Sequence, residues 1–485
     1  MSSGSKAVKP SDRDALMGGG SACNTEDAGQ CPRREGAEQD SLPGKGHTAA
    51  PEAEIPVFTK LAGLVALTRK EERLTNVIQY VDEEMLHLAF RSLRKQAAPG
   101  IDGQSYEDYE ANLEQNLRGL YARLKSGRYR APVIRRAYIP KGNGECRPIG
   151  ITTIEDRVVQ KAVAWVLSAI YEQDFLECSH GFRPKRSPHT ALHRLREGMM
   201  QHWARYVVEV DIVGCFDHVN HAWLREFVRH RANDGGLLRL LDKWLKAGVM
   251  ENGVVTRSSD GTPQGGPISP MLANIYLHYV LDLWFERHFK KSCRGFAELT
   301  RFADDFVVVF RDYGDATRFR REVEERLASF GMQVAPEKTA MLCFDGNLLK
   351  GSGQPGIRPD TFTFLGFSHF LKRTRAGKVN IVRMPSVKTR ERFLRRITTW
   401  LKANKHLSVW KQQAYLVKAL DGYYQYFGLR LCWTKLSGVR QRVRRIWQRT
   451  LQRRSQRAGR TCNWATLDAK PWFQLPKPRL TQTWV

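Results

Sequence analysis

Adjacent aspartates, Asp304 and Asp305, stand inside Arg301-Phe302-Ala303-Asp304-Asp305-Phe306-Val307-Val308-Val309-Phe310, a run that is otherwise mostly apolar. Two carboxylates side by side against a hydrophobic segment repel each other and lose hydration. Both stay ionised only beside a strong cation. For this pair alone an exposed turn is an equally good explanation, because Asp favours turns. A third carboxylate shifts the balance. Tyr206-Val207-Val208-Glu209-Val210-Asp211 has the pattern of a buried strand that ends in an aspartate. Together the three make an oxygen-rich site suited to two Mg²⁺, a hard cation that takes oxygen ligands, with Mn²⁺ as a substitute. Two such ions about 3.5–4 Å apart can stabilise both the attacking and the leaving oxygen of a phosphoryl transfer. Asp211 and Asp304 are remote in the chain, so only folding can bring them together.

The elements around these residues can be read from periodicity. Residues 81–96 and 106–125 have the apolar recurrence of helices, and the breaker-rich Ala98-Pro99-Gly100-Ile101-Asp102-Gly103 lies between them. Strand-like runs over 133–140 and 145–151 flank Asn143-Gly144, which signals a hairpin. A helix is expected over 156–171, and short strands over Tyr206–Ile212 and Phe306–Phe310. Interspersed strands and helices with long crossovers predict an α/β or α+β body followed by a helical, basic C-terminal third. His218 and His221 have the spacing of a metal pair but no accompanying ligand, and are read as structural.

With 485 residues the chain has room for about three domains of ~150 residues. No apolar run approaches the ~20 residues of a membrane span. Nine cysteines without paired spacing fit neither a disulfide scaffold nor a zinc knuckle. Charge is the positive clue: 78 Lys+Arg against 50 Asp+Glu leave +28, which calls for a polyanionic partner. Residues 1–59 are net acidic and rich in Gly, Ser, Pro and Ala, and are expected to be a disordered leader that polymer chemistry elsewhere can spare. Between Leu371 and Arg460, 25 basic residues face only Glu391 and Asp421. Trp400, Trp410, Tyr423, Tyr424, Tyr426, Phe427, Trp433 and Trp447 are interleaved with them. Arginines grip phosphates and aromatics can stack on unpaired bases, although many of these rings should be core. Val439, Val443, Ile446, Trp447 and Leu451 recur at helical spacing, with Arg442, Arg444, Arg445, Arg449, Arg453 and Arg454 on the remaining surface.

At this point a family resemblance emerges. Asp211 to Asp217 with His218-Val219-Asn220-His221 resembles the first catalytic motif of reverse transcriptases, and Phe302-Ala303-Asp304-Asp305 is similar to their Tyr-Ala-Asp-Asp box. Gly261-Thr262-Pro263-Gln264-Gly265-Gly266-Pro267-Ile268-Ser269-Pro270 resembles the intervening motif, and Phe364-Leu365-Gly366-Phe367 the primer grip. Pro99–Gly103, Arg147-Pro148-Ile149-Gly150-Ile151 and Ser179-His180-Gly181-Phe182-Arg183-Pro184 look like bacterial group II intron reverse transcriptases/maturases, and Gly422–Gly428 like part of their maturase domain. The resemblance covers roughly residues 75–485.

The resemblance implies an α+β right-hand polymerase fold, with fingers and palm built on antiparallel sheet. An α-helical thumb/maturase domain and a basic C-terminal region would follow. The implied boundaries are a leader at 1–59, a helical extension at 60–135, fingers and palm at 136–375, thumb/maturase at 376–432 and a nucleic-acid-binding region at 433–485. Asp211, Asp304 and Asp305, with the Ile212 backbone, would bind the catalytic metals. Lys141 and Arg147 would clamp the incoming triphosphate, which an odd hairpin loop of three or five residues would place on one face. Phe216 would exclude a 2′-hydroxyl, Gln264 would touch nucleotide and template, and Lys338 would stand near the palm. Ile212 would also belong to the nucleotide pocket. Phe364, Leu365 and Gly366 would hold the primer, Pro99, Gly100 and Ile101 the template, and Arg442, Arg445, Arg449 and Arg453 the RNA.

Partners implied are a group II intron RNA, an RNA template with DNA primer, deoxynucleotides and target DNA, with no membrane and a homodimer allowed for. The implied setting is the bacterial cytoplasm, at the nucleoid. Two departures from the family matter. Phe302 replaces the usual tyrosine, and activity should survive. The sequence stops at Val485 without the cysteine-rich endonuclease region of many relatives, so second-strand cleavage is not expected and the primer would come from elsewhere, such as a replication fork. Two other readings stay open: a splicing helper with an idle polymerase, and a domesticated enzyme of DNA repair or phage defence.

Overall fold

The computed structural model describes residues 57, 59–140, 146–251, 254–256, 261, 265–350 and 359–482, with backbone alone at Pro140, Arg147 and Lys350. The expected leader thus lies almost wholly outside the described residues.

Helices begin where the sequence supplies a cap. After α1 (Ala62–Lys70), the Asp82 carboxylate accepts from the Met85 amide at 2.8 Å and opens α2 (Glu83–Arg91). The helix expected over 106–125 is split. A capping box between Ser105 and Asp108 starts α3 (Tyr106–Glu110), and α4 (Leu113–Lys125) follows a break at Ala111-Asn112. Strands β1 (Ile134–Pro140) and β2 (Cys146–Ile151) pair antiparallel, with Ile139 opposite Arg147 and Pro140 opposite Cys146. That register leaves five residues between them, the odd count expected. Lys141, the Asn143-Gly144 turn and the Arg147 side chain lie outside the described residues.

Helix α5 (Ile154–Tyr171) starts at the Thr153 cap and α6 (Pro188–His202) at Ser187. Strand β3 (Tyr206–Asp211) precedes α7 (His221–Arg231), α8 (Gly235–Leu245), β4 (Val249–Glu251) and β5 (Val254–Thr256). Strands β4 and β5 extend the first sheet in the order β2-β1-β4-β5. The β1–β4 contact is parallel, so this sheet is mixed, not antiparallel throughout as expected. Helix α9 (Ser269–Leu277) runs on through π-type turns at His278–Asp282 and Phe285–Phe289.

The second sheet contains β6 (Ala297–Phe302), β7 (Asp305–Phe310) and, after α10 (Tyr313–Ala328), β8 (Ala340–Cys343). Its order is β6-β7-β3-β8 and every pairing is antiparallel. Both faces are buried, and the two-residue period sorts them. Val208, Val210, Phe306, Val308 and Phe310 join a core with α2, α5, α7, α9 and α10. Val207, Val307 and Val309 join a second core with α6 and the C-terminal elements.

Those elements are a three-stranded antiparallel sheet of β9 (Phe362–Phe364), β10 (Phe367–Arg373) and β11 (Val379–Pro385), then α11 (Val387–Ala403), α12 (Val409–Phe427) and α13 (Trp433–Gln452). The expected stripe of α13 is buried at Val439, Val443, Trp447 and Leu451. Two arginines assigned to its exposed face behave otherwise. Arg444 is buried over the Trp464 and Phe473 rings and pairs with Asp468, and Arg454 donates to the Leu407 carbonyl at 2.7 Å. A boundary after 375 falls inside the β10–β11 hairpin, and one after 432 cuts a single core that holds Leu420, Tyr424, Leu436 and Val443 together. No helix among the described residues is long and apolar enough to cross a membrane.

Candidate active site

The β3–β7 register places Asp211 directly opposite Asp305. Asp304 occupies the two-residue turn Ala303-Asp304 between β6 and β7, since Phe302 pairs with Asp305. Remote carboxylates therefore meet because two strands align. Glu209 lies two residues before Asp211 on the same face, and its carboxylate accepts from the Thr363 amide at 3.1 Å. This fourth acid went unassigned in the sequence, although the spacing to Asp211 was a usable signal.

Asp305 is open to solvent at the start of β7, yet enough protein lies near its carboxyl to desolvate it. Desolvation there, then the charges of Asp304, Asp211 and Glu209, push its carboxyl up to about 7. Lys338 is brought to the same place. Its ammonium sits 2.8 Å from Asp211 Oδ2, from the short turn Pro336–Lys338. Ile212 forms an antiparallel bridge with Val334 whose two bonds are made by neighbours, Val213 N–H to Gln333 and Ala335 N–H to Asp211. The Ile212 carbonyl therefore faces away from Val334, toward the side where β7 begins at Asp305.

A raised carboxyl pKa in the folded state weakens the fold as pH rises from the ordinary carboxylate range to about 7, and leaves it unaffected below that range. Asp305→Asn removes the penalty. In the presence of a chelator the variant is expected to melt higher than the parent at pH 8, by about 1 kcal/mol once solvent screening is counted, with the gap closing by pH 5. Thermal melts at the two pH values check this, and a variant less stable at both would contradict it.

The turn that carries Asp304 is held from behind. Ala303 has φ of 58° and Asp304 does not share it, the φ pattern of a type II′ turn whose first central residue is normally glycine. Fully buried Arg301 supports it. Its guanidinium makes two bonds to buried Asp282, at 2.8 and 2.6 Å, and donates to the Ala303 carbonyl, Asn274 Oδ1 and Ser179 Oγ. Gly181 packs so closely that a β-carbon would stand 2.4 Å from the Ala303 nitrogen. Neither Arg301 nor Gly181 carries a sign of this task in the sequence.

Other expected site residues are distributed as follows. Leu365 and Gly366, with φ of 50° and 79°, form the two-residue turn between β9 and β10, and Phe364 is buried below it. The Leu365 backbone hydrogen-bonds the Asp305 carboxyl, and its carbonyl accepts from Tyr426 Oη at 3.0 Å. Tyr423, Tyr424 and Phe427 of the Gly422–Gly428 segment are core residues. Phe216 is half-buried in the turn after Asp211. His221 is structural, with Nε2 bonded to the Gly261 carbonyl at 2.7 Å. Pro99 is tied by Arg135, which donates to its carbonyl at 2.7 Å, Gly100 packs on Thr153, and Ile101 is exposed. Arg442, Arg445, Arg449 and Arg453 are all exposed. Gln264 lies outside the described residues.

The donors that converge are oxygen only, which fits a hard divalent cation and excludes the thiolate and imidazole sets that select zinc. Among the described residues no three acidic, His or Cys side chains are drawn into a ready-made metal cage. Asp211 instead holds the Lys338 ammonium where a cation is electrostatically favoured.

Residues 139–369 match the family described as reverse transcriptase (RNA-dependent DNA polymerase). Protein YkfC of Escherichia coli (strain K12) is 33% identical over 314 residues, 59% of this chain and 79% of its own. The chain belongs to the reverse transcriptase family. Reverse transcriptases of this family use divalent metal ions, which suits the oxygen donor set. The group II intron-encoded protein LtrA of Lactococcus lactis subsp. cremoris is 38% identical over 219 residues, 44% of this chain and 36% of LtrA. The putative COX1/OXI3 intron 1 protein of Saccharomyces cerevisiae is 26% identical over 330 residues, 58% of this chain and 39% of its own. Within the reverse transcriptases, this chain is thus similar over part of its length to proteins encoded by group II introns. It spans most of YkfC but little more than a third of LtrA.

Proposed function

We propose that this reverse transcriptase copies a group II intron RNA from a DNA primer, and that its basic C-terminal region binds the same RNA and stabilises its splicing-competent fold, serving splicing and retrohoming. The observation that carries the catalytic half is the cross-strand pairing of Asp211 with Asp305 beside the Asp304 turn. Asp211, Asp304, Asp305 and the Ile212 carbonyl would hold two Mg²⁺, replaceable by Mn²⁺. Bound there, the ions would lower the pKa of the primer 3′-hydroxyl and neutralise the leaving pyrophosphate.

The chain's own groups would do the positioning. Lys141 and Arg147 clamp the triphosphate through charge-assisted bonds. Lys338, already at the carboxylates, supplies a further cation near the phosphates. Phe216 lies under the sugar and rejects a 2′-hydroxyl, Gln264 reads the nucleotide–template pair, and Ile101 with Pro99 and Gly100 guides the template. The Leu365-Gly366 turn holds the primer against Asp305. We assign 60–135 to a helical extension of the fingers and the elements from β1 through the β9–β11 sheet to fingers and palm; α11 and α12 as the thumb/maturase, and the RNA- and DNA-binding end from α13 onward, share one core.

A paired assay tests both halves: Asp304→Ala should abolish primer extension yet leave assisted splicing intact. Loss of both, in a protein that still folds and binds RNA, would refute the separation of roles. RNA affinity should fall steeply with salt. Replacing Arg442, Arg445, Arg449 and Arg453 together by alanine should flatten the slope by about 3–4 with little change in Tm, since each exposed arginine that meets a phosphate contributes roughly one. An unchanged slope in filter-binding titrations would remove these residues from the RNA interface.

A further inference from the structure

The segment between α5 and α6 presses on the back of the Ala303-Asp304 turn, and two of its residues adopt backbones that side chains other than glycine avoid. Phe182 has φ of 56° and Lys185 of 58°. For a bulky residue such as Phe this is an outlier that persists only where the surroundings over-determine it. Here they do. The His180 amide donates to the Arg301 carbonyl at 2.9 Å, and Asn274 Nδ2 donates to the Gly181 carbonyl at 2.7 Å. Arg183, itself buried, donates to the Leu176 and Ser179 carbonyls at 2.7 and 2.8 Å.

This rigidity serves to hold a ring outward. Phe182 is 43% exposed, with its ring 6.5 Å from that of Phe302, two residues before Asp304. Burial alone does not account for a strained phenylalanine that leaves this much of its surface exposed. An apolar ring fixed beside a polymerase turn is suited to contact with a nucleotide, because every base and sugar offers it a face regardless of sequence. Lys185, exposed three residues later on the same loop, offers a cation that can meet a phosphate.

We propose that Phe182, beside Phe302, forms a shelf for the sugar and base of the primer's 3′-terminal nucleotide, and that Lys185 meets a phosphate of the same strand. The assignment rests on the polymerase reading and names a contact that reading leaves open. The test uses the full chain and a primer–template carrying 2-aminopurine at the primer 3′ end, titrated in a chelator so that no chemistry is needed.

Phe182→Ala should weaken binding about tenfold and leave the bound 2-aminopurine bright, whereas Phe182→Trp should keep it quenched. Phe182→Gly separates contact from folding. It relieves the strained backbone, so Tm should stay level or rise while primer binding falls as in the alanine variant. Lys185→Ala should reduce the salt slope by about one. Alanine and glycine variants whose affinity and fluorescence stay within twofold of the parent would overturn the proposal, as would a glycine variant that loses binding only because it melts lower. Asp304→Ala should bind and quench normally yet not extend. If it extends, the polymerase assignment fails while the Phe182 result stands on its own.

Discussion

Asp304→Ala is expected to slow primer extension by roughly 10³–10⁴-fold, a loss of about 4–5.5 kcal/mol of transition-state stabilisation. The size follows from the demand placed on the site. Charge develops on both the attacking and leaving oxygens, and a missing carboxylate forfeits part of the cation binding that neutralises it. The fold should not suffer. Asp304 sits half-buried in a turn and adds to the repulsion that raises Asp305. Single-turnover incorporation measures the rate, and thermal melting with RNA titration measures the rest. Residual extension within tenfold of the parent would mean that Asp304 is not part of the reacting site.

Asp282→Ala is the largest stability effect expected, about 3–5 kcal/mol, because it strands the Arg301 guanidinium, which is wholly buried, without its counter-charge. Replacing both partners by apolar residues, as in Asp282→Leu with Arg301→Met, should recover much of that loss, since a buried ion pair pays heavily for desolvation. Extension should not recover with it. The apolar pair restores packing but leaves the Ala303 carbonyl and Asn274 without the donor that holds the Asp304 turn, so a deficit of tenfold or more should remain. Chemical denaturation of the single and double variants, paired with extension rates, distinguishes the two outcomes. A double variant that regains full activity would show that Arg301 serves the fold alone.

Much of the architecture was readable one element at a time. The apolar run from Tyr206 to Asp211, the five-residue run from Phe306, the hairpin over 134–151 and the stripe of α13 are local patterns, and local patterns are what side-chain periodicity encodes. The identities of the three aspartates were equally legible, because acids bordering apolar strands are costly unless a cation compensates them. The split between α3 and α4, the parallel β1–β4 pair and the burial of Arg444 were not, since each depends on which distant surface arrives to pack.

Residue type and spacing alone thus carried the expectation of a polyanionic partner, of carboxylates that need a cation, and of a basic helix with an apolar stripe in the C-terminal third. Tertiary structure decided what aims those carboxylates. Arg301 meets Asp282 across a π-type turn, Lys338 reaches Asp211, and Leu365 links Asp305 to Tyr426. Such contacts join groups many residues apart, and their energy is realised only when desolvation and strand register act together, which no window of sequence contains.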